Sequence, residues 1–334
     1  MITLSICIAT YNRAAFIGET LESILSQVSD EVEVLVADGA STDNTSEILA
    51  GFTARCPQLR FVQLGKKGGF DHDYAKAVEF ARGTYCWLFT DDDLMKPGAV
   101  AAVLQAIRQD YSLIVVNAEV RDVKLDVCLQ GHRIALEADL VFADSQEDRD
   151  RFLSLAGDYL SFIGAVVIKR EIWNQRDKAL YFGTYFGYLG VTLGTPMPGK
   201  TLVMARPWIQ IRYGNAQWVS KSFEIWMFKW PDLIWSFPHF SDWAKQRVVA
   251  RKPWLSWPRL GFERALGHYT FQDYSTWLAP RLRPSLNKMV LWAIARTPVG
   301  CLNLLARFCA RHILRKVPSI GLYDLEAWQP PTRR

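Results

Sequence analysis

In the first 117 residues, short apolar runs alternate with segments of helical period, and each run ends in a polar loop. The runs "TLSICIA", "EVEVLVA", "LRFVQL", "TYCWLF" and "SLIVVN" are β-branched or aromatic in character. Between them, "AAFIGETLESILSQ" spaces Phe16, Ile17, Leu21, Ile24 and Leu25 for one helical face. "STDNTSEILAGF" opens with capping residues, "DYAKAVEFARG" ends at Gly83, and "PGAVAAVLQAIRQ" carries Pro97 in its first turn. Alternation of this kind predicts an α/β fold, a mostly parallel sheet flanked by helices. Ligands of such sheets bind in the loops outside the carboxyl ends of the strands. The loops here are "ATYNR", "ADGAST", "GKKGGFDHD" and "TDDD", and the polar residues gather in them.

The remainder is less regular. "EVRDVKLDVC" alternates like one exposed strand, "DSQEDRDRFLSLAG" is helical in pattern, and "FIGAVVIKR" resembles a buried strand. "TLVMARPWIQIRYG" looks like a strand leading to a polar loop. From Trp218 onward helical patterns dominate, punctuated by prolines. The charge is unevenly placed. From Val219 to the end, 18 Lys and Arg face 7 Asp and Glu, and that stretch also holds 9 of the 13 Trp. A basic, Trp-rich part joined to a mildly acidic one implies a core and a surface for anionic partners.

Six scattered cysteines, with no CxxC pair, argue against a disulfide framework or zinc cluster and fit a reducing compartment. The N-terminus lacks a basic segment ahead of its short apolar run, which argues against a signal peptide. No stretch has about 18 uninterrupted apolar residues. The nearest, "MVLWAIARTPVGCLNLLARFCA", is broken by Arg296, Pro298 and Arg307.

The chemistry centres on Asp91, Asp92 and Asp93. One carboxylate there could cap the next helix, a gain of about 0.5–1 kcal/mol. Three add mutual repulsion, which a divalent cation offsets: Mg²⁺ or Mn²⁺ takes one or two carboxylates together with substrate phosphate oxygens. Asp38 follows the second strand, where a carboxylate can meet a base or ribose edge, and Ser41 or Asp43 is placed to cap the following helix. Thr10, Tyr11 and Asn12 beside Arg13 offer a hydroxyl, an aromatic face and an amide.

In this order and spacing, "SICIATYNR", "VLVADGASTDNT" and "GGFDHDYAKAVEFARGTYCWLFTDDD" resemble the family 2 glycosyltransferases of GT-A fold, over about residues 1–117. A weaker similarity, through "VVIKREIW", "LYFGTYFG" and "RPWIQIRYGNAQW", is to bacterial O-antigen transferases that add 3,6-dideoxyhexoses, such as abequosyltransferases. The resemblance implies a catalytic domain over 1–217, with a nucleotide-sugar-binding half (1–117) and an acceptor-binding half (118–217). It implies a nucleotide pocket of Thr10 and Tyr11 with Asn12 and Arg13 beside them, Asp38 at the base, and Asp91 at the ribose or donor sugar. Asp92 would ligate Mn²⁺ or Mg²⁺ bridging the diphosphate. Asp93, where members vary between Asp and Asn, is the second metal candidate.

Two departures stand out. Thr90 occupies the place of a common acid. "FDHDYA" replaces an Arg-Asn pair, which puts Asp71 in the donor-side loop and makes His72 a substitute donor to phosphate or sugar. Arg212, at the end of a strand, suits a departing diphosphate. The acceptor region "LYFGTYFGYLGVTLGTPMPG" holds no acid, so Asp158 is the candidate base, ahead of Asp177. Its aromatic cluster, Tyr181, Phe182, Tyr185, Phe186 and Tyr188, reads as core plus an acceptor wall.

The tail, residues 218–334, mixes Trp, Phe and Leu with Lys and Arg, as interfacial helices do. No nucleic-acid-binding motif accompanies it. The expectation is a metal-dependent enzyme at the cytoplasmic face of the cell membrane. It moves a sugar from a nucleotide-diphosphate donor, in the subfamily a CDP-linked dideoxyhexose, to a hydroxyl of a lipid-linked oligosaccharide. The alternative is an inactive homologue within a membrane assembly, which the missing acceptor-side acid keeps open. A nucleotidyltransferase would need a Gly-rich loop with an activating cation near the N-terminus, which "ATYNRAAF" lacks.

Overall fold

The structure, a computed structural model, describes residues 1–312 and 319–328. Residues 313–318, part of the basic stretch expected to be helical, lie outside them. The chain divides into two compact units, Met1–Gly214 with Leu233–Val248, and Asn215–Asp232 with Val249 onward.

In the first unit, strands β1 (Leu4–Thr10), β2 (Val32–Asp38), β3 (Leu59–Gln63) and β4 (Tyr85–Phe89) pair in parallel. The helices between them are α1 (Ile17–Leu25), α2 (Thr45–Arg55) and α3 (Phe70–Phe80). β2 and β4 are buried throughout and β1 nearly so, as their uninterrupted apolar runs require. Beyond the short β5 (Leu94–Met95) and α4 (Ala99–Ile107) come β6 (Leu113–Val115), β7 (Ala118–Arg121), β8 (Cys128–Gln130), β9 (Leu140–Phe142) and α5 (Gln146–Ala156). They are followed by β10 (Val166–Lys169), α6 (Arg170–Gln175), α7 (Gly187–Leu193), β11 (Thr201–Val203) and β12 (Ile209–Arg212). The large sheet has the order β3-β2-β1-β4-β10-β6-β11-β9. In it β10 runs antiparallel to β4 and β6, so its second half is mixed. A small sheet orders β5-β12-β7-β8.

Four local expectations change. "EVRDVKLDVC" is not one strand: it folds back between β7 and β8, an antiparallel pair. "TLVMARPWIQIRYG" splits at Arg206–Pro207 into β11 of the large sheet and β12 of the small one. A proline cannot donate to a ladder, and it fixes the bend. "FDHD" is not loop but the first turn of α3. The acidic triplet leads first into β5, whose Leu94 and Met95 pair with Gln210 and Ile209, and only then into α4.

Residues 233–248 rejoin the first unit although their composition matches the tail. Phe237 and Phe240 are buried, the Ser241 amide donates to Asp150 Oδ1 (2.8 Å), and Gln146 Nε2 donates to the His239 carbonyl (3.1 Å). The second unit has its own core, including Phe223, Met227, Leu260, Tyr269, Leu278 and Leu291. Among the described residues no single helix is long and apolar enough to cross a membrane. The helices Leu286–Arg296 and Val299–His312 reach that length together but meet at a 99° bend.

Candidate active site

Strand register brings the polar loops together. Thr10 pairs with Asp38 and Ile8 with Phe89, so the residues that follow β1, β2 and β4 emerge at one edge. The Gly39 amide donates to the Thr10 carbonyl (2.8 Å). Asn12, at φ +53°, ties the first loop to the second. Its amide donates to Ser41 Oγ (2.9 Å), and its Oδ1 accepts from the Thr42 amide (2.8 Å).

Arg13 joins the first loop to the acidic one. Its Nη2 lies 2.8 Å from Asp92 Oδ2 and its Nε 3.3 Å from Asp91 Oδ1, with all three side chains about seven-eighths buried. Burial, and then the charge of Asp92, push the Asp91 carboxyl up to about 7, against the pull of Arg13. Thr10 Oγ1 sits beside Asp91, buried and without a well-formed hydrogen bond. One guanidinium thus faces two crowded carboxylates, with the Thr10 hydroxyl beside one of them. This donor set suits a divalent cation that shares its remaining ligands with phosphate. Among the described residues no three His, Cys, Asp or Glu side chains cluster as metal ligands.

Asp93 faces away from that pair. Its Oδ1 accepts from the Arg212 amide (2.7 Å) and its Oδ2 from the Thr90 hydroxyl; burial and the charge of Asp92 raise its pKa well above the usual range. Each of its oxygens is thus engaged by a donor of the protein itself, whereas Asp91 and Asp92 face Arg13. Thr90, which stands where an acid is common, supplies one of those bonds.

Arg212 is also committed. Its side chain is 6% exposed, donating from Nε to the Asp92 carbonyl (2.9 Å), from Nη1 to the Val123 carbonyl (2.9 Å) and from Nη2 to Glu19. It ties the acidic loop to α1 and to the segment after β7. The Phe16 ring lies 5.3 Å from both the Arg13 and the Arg212 guanidinium.

Asp38 is fully buried and internally satisfied, by the Ser41 amide (3.0 Å), Ser41 Oγ (2.6 Å) and Ser46 Oγ (2.7 Å). Asp43 caps α2, accepting from the Thr45 amide (3.1 Å).

Asp71 turns toward the acceptor half. Its carboxylate accepts from the amides of Gly183 (2.8 Å), Tyr185 (3.0 Å) and Gly187 (2.8 Å). This corrects its place in a donor-side loop, because the first turn of α3 aims it at the segment before α7. His72, 44% exposed, lies edge-on to Phe182 at 5.9 Å and 3.5 Å from Asp73 Oδ1. Asp158 is not brought to this edge by any contact with the acidic loop: its carboxylate is 71% exposed and sits 3.4 Å from Arg133. Asp177 Oδ1 accepts from the Ala179 amide (2.9 Å). In the aromatic cluster, Phe186 and Tyr188 are core, whereas Phe182 is exposed.

Two residues, Lys67 and Glu19, escaped the sequence, and Asp73, part of the run "FDHDYA" read as donor-side loop, proves buried. Lys67 places Nζ 3.6 Å over the Tyr11 ring, a cation at the pocket edge that the run "GKKGG" could have suggested. Asp73 is 4% exposed, accepts from the Gly68 amide (3.1 Å) and has a pKa raised by burial. Glu19, on α1, holds Arg212 from 193 residues away in sequence, and no local signal could have found it.

A parallel sheet with a carboxylate pair on its β4 loop defines a GT-A-type glycosyltransferase. The family model "Glycosyl transferase family 2" matches residues 5–175, and the chain belongs to that family. Among curated relatives, the abequosyltransferase RfbV of Salmonella typhimurium is 26% identical over 232 residues, 65% of this chain and 69% of that protein. Chondroitin synthase of Escherichia coli is 35% identical over 120 residues, 36% of this chain, but the chain spans only 17% of that relative. Among solved structures, S. aureus TarS 1–349, determined in complex with UDP-GlcNAc, has a TM-score of 0.57 at 15% identity. It covers 97% of this chain and 90% of that one, a likeness of fold.

Proposed function

We propose that this glycosyltransferase moves a sugar from a nucleotide-diphosphate donor to a hydroxyl of a lipid-linked glycan during surface polysaccharide assembly. The observation that carries the reading is Arg13 bridging Asp91 and Asp92 at the edge where the β1, β2 and β4 loops converge. Similarity to an abequosyltransferase over two thirds of its length favours a CDP-linked dideoxyhexose as donor. The UDP-GlcNAc bound by TarS belongs to a structure alike in fold, which supports the nucleotide class only.

Asp91 and Asp92 would hold Mn²⁺ or Mg²⁺, which when bound supplies positive charge to the leaving diphosphate. Arg13 keeps the two carboxylates together beforehand, and Arg212 and Asp93 fix the loop that carries them. Tyr11 offers a ring to the base, and Lys67 a cation to the phosphates. For the acceptor side the base we propose is Asp158, on the sequence ground that residues 180–199 hold no acid; its exposed carboxylate, 3.4 Å from Arg133, would have to leave that pairing to serve. Calorimetry with CDP and UDP, with and without Mn²⁺, tests the reading. Metal-dependent binding of one nucleotide is expected, and no binding of either under any condition overturns it.

Membrane association belongs to the same proposal. Leu286, Met289 and Trp292 recur along one exposed face of the helix Leu286–Arg296. Leu304, Leu305 and Phe308 do so on Val299–His312, with Lys288, Arg296, Arg307 and Arg311 on the same two helices. Apolar faces with flanking cations suit an anionic bilayer surface. The protein is expected to sediment with phosphatidylglycerol vesicles and not with phosphatidylcholine. Leu304→Glu with Phe308→Glu is expected to weaken that binding roughly tenfold or more, given about 0.8 kcal/mol for each buried methylene. Undiminished binding of the double variant would remove these helices from the interface.

A further inference from the structure

The second unit contains a cleft of about 380 Å³ whose lining residues all belong to that unit. Its apolar side is a stack of rings. Trp277 lies 5.2 Å from Phe228 at 26°, and Phe228 lies 6.2 Å from Trp254 at 27°. Its polar side carries Lys229, Arg251, Lys252 and Arg281 against only Glu224 and Asp232. Arg281 lies over this stack, with its guanidinium carbon 4.9 Å from the Phe228 ring and 5.5 Å from Trp277. It is pinned by donation from Nη1 to the Trp277 carbonyl (2.8 Å). Lys229 Nζ is 3.4 Å from Glu224.

The backbone adds an independent observation. Two π-helical segments occur among the described residues, Ile225–Lys229 and Tyr274–Leu278, and both contribute to this cleft. The first supplies Phe228 and Lys229, the second Trp277. In each the ladder is widened by one residue: Trp230 N donates to the Ile225 carbonyl, and Ala279 N to that of Tyr274 (2.8 Å). Such turns are rare and concentrate at functional sites. Here they push side chains from two helices into one concavity.

We propose that this cleft binds a phosphate ester carrying a polyol, either a soluble sugar phosphate or the headgroup of an anionic phospholipid. The rings provide a flat apolar wall for the C–H face of the polyol. The cations outnumber the acids and provide charge-assisted donors for the phosphate. The volume lies within the range of small-ligand pockets, about 300–1,000 Å³. The proposal stands apart from the donor-site reading, since none of its residues is shared with the acidic loop.

The test is titration of the full chain, followed by the indole N–H resonances of Trp254 and Trp277, assigned through Trp254→Phe and Trp277→Phe. The two probes are α-glucose 1-phosphate and dihexanoyl phosphatidylglycerol. Shifts of both indoles with the first probe alone assign the site to soluble sugar phosphates. Shifts with the second alone, or with both, assign it to a lipid headgroup or to the shared chemistry. In the Arg251→Ala, Lys252→Ala double variant the affinity is expected to fall roughly tenfold or more, as loss of bonds to a charged group requires. Asp92→Asn is expected to titrate like wild type, which separates failure here from failure of the donor site. Absence of shifts with both probes, or shifts undiminished in a double variant that retains the wild-type indole spectrum, overturns the proposal.

Discussion

Asp92→Asn is expected to cut sugar transfer by roughly two to three orders of magnitude, the usual loss when one electrostatic stabiliser of the reaction is removed. The folded protein is expected to be as stable as before, or more so. The Asp92 carboxylate lies seven-eighths buried against Asp91 and beside Asp93, and its charge raises the pKa of both neighbours. Asparagine keeps its shape and removes that repulsion, while Arg13 retains Asp91 at 3.3 Å. A group held against electrostatic cost and released at a gain in stability is held for chemistry. Paired measurements decide it: transfer rate at saturating donor and Mn²⁺, and the melting temperature of the same preparation. A variant that keeps its rate within tenfold would show that Asp92 does not serve the reaction. One that loses both rate and several degrees of melting temperature would make it a structural residue.

The first 117 residues were legible because their signals are local. Apolar strand runs, helix caps and loops at strand ends follow from residues adjacent in sequence, and β1 to β4 with α1 to α3 formed accordingly. The site's internal wiring was not legible, because it depends on distant partners. Arg212 looked like an open phosphate ligand at a strand end. Only the pairing of β12 with β5 shows that it reaches beneath the acidic loop to Asp92, Asp93 and Glu19. Asp93 seemed equivalent to its neighbours by adjacency, yet past the bend at Asp91 and Asp92 its carboxylate meets the Arg212 amide and the Thr90 hydroxyl. Residues 233–248 shared the tail's composition, but buried phenylalanines and bonds to α5 outweigh composition in deciding where a segment packs.

Asp71→Ala is expected to loosen the segment between Phe182 and α7, and to lower stability by about 3 kcal/mol, less than the sum of its bonds because their effects are not additive. One carboxylate accepts three backbone amides there, from Gly183, Tyr185 and Gly187. Two of these residues adopt left-handed backbone, Gly183 at φ +85° and Tyr185 at φ +69°. For tyrosine that conformation costs about 1–2 kcal/mol, so something must hold it. A charge at the start of α3 is a suitable anchor, since the helix dipole favours it there as well. Close packing adds to the constraint, because a Cβ on Gly187 would come within 3.0 Å of the Asp71 side chain. Asp71→Asn separates shape from charge. Its single side-chain oxygen can keep the bonds to Gly183 and Tyr185, but its amide then faces the Gly187 N–H donor to donor, and a smaller loss follows. Hydrogen exchange at residues 183–187 gives the local reading, and the melting temperature gives the global one. Alanine is expected to speed exchange of the three amides and to drop melting by several degrees, with asparagine between alanine and wild type. Amides that stay as protected in the alanine variant as in wild type would mean that α7 itself, not Asp71, holds the segment against α3.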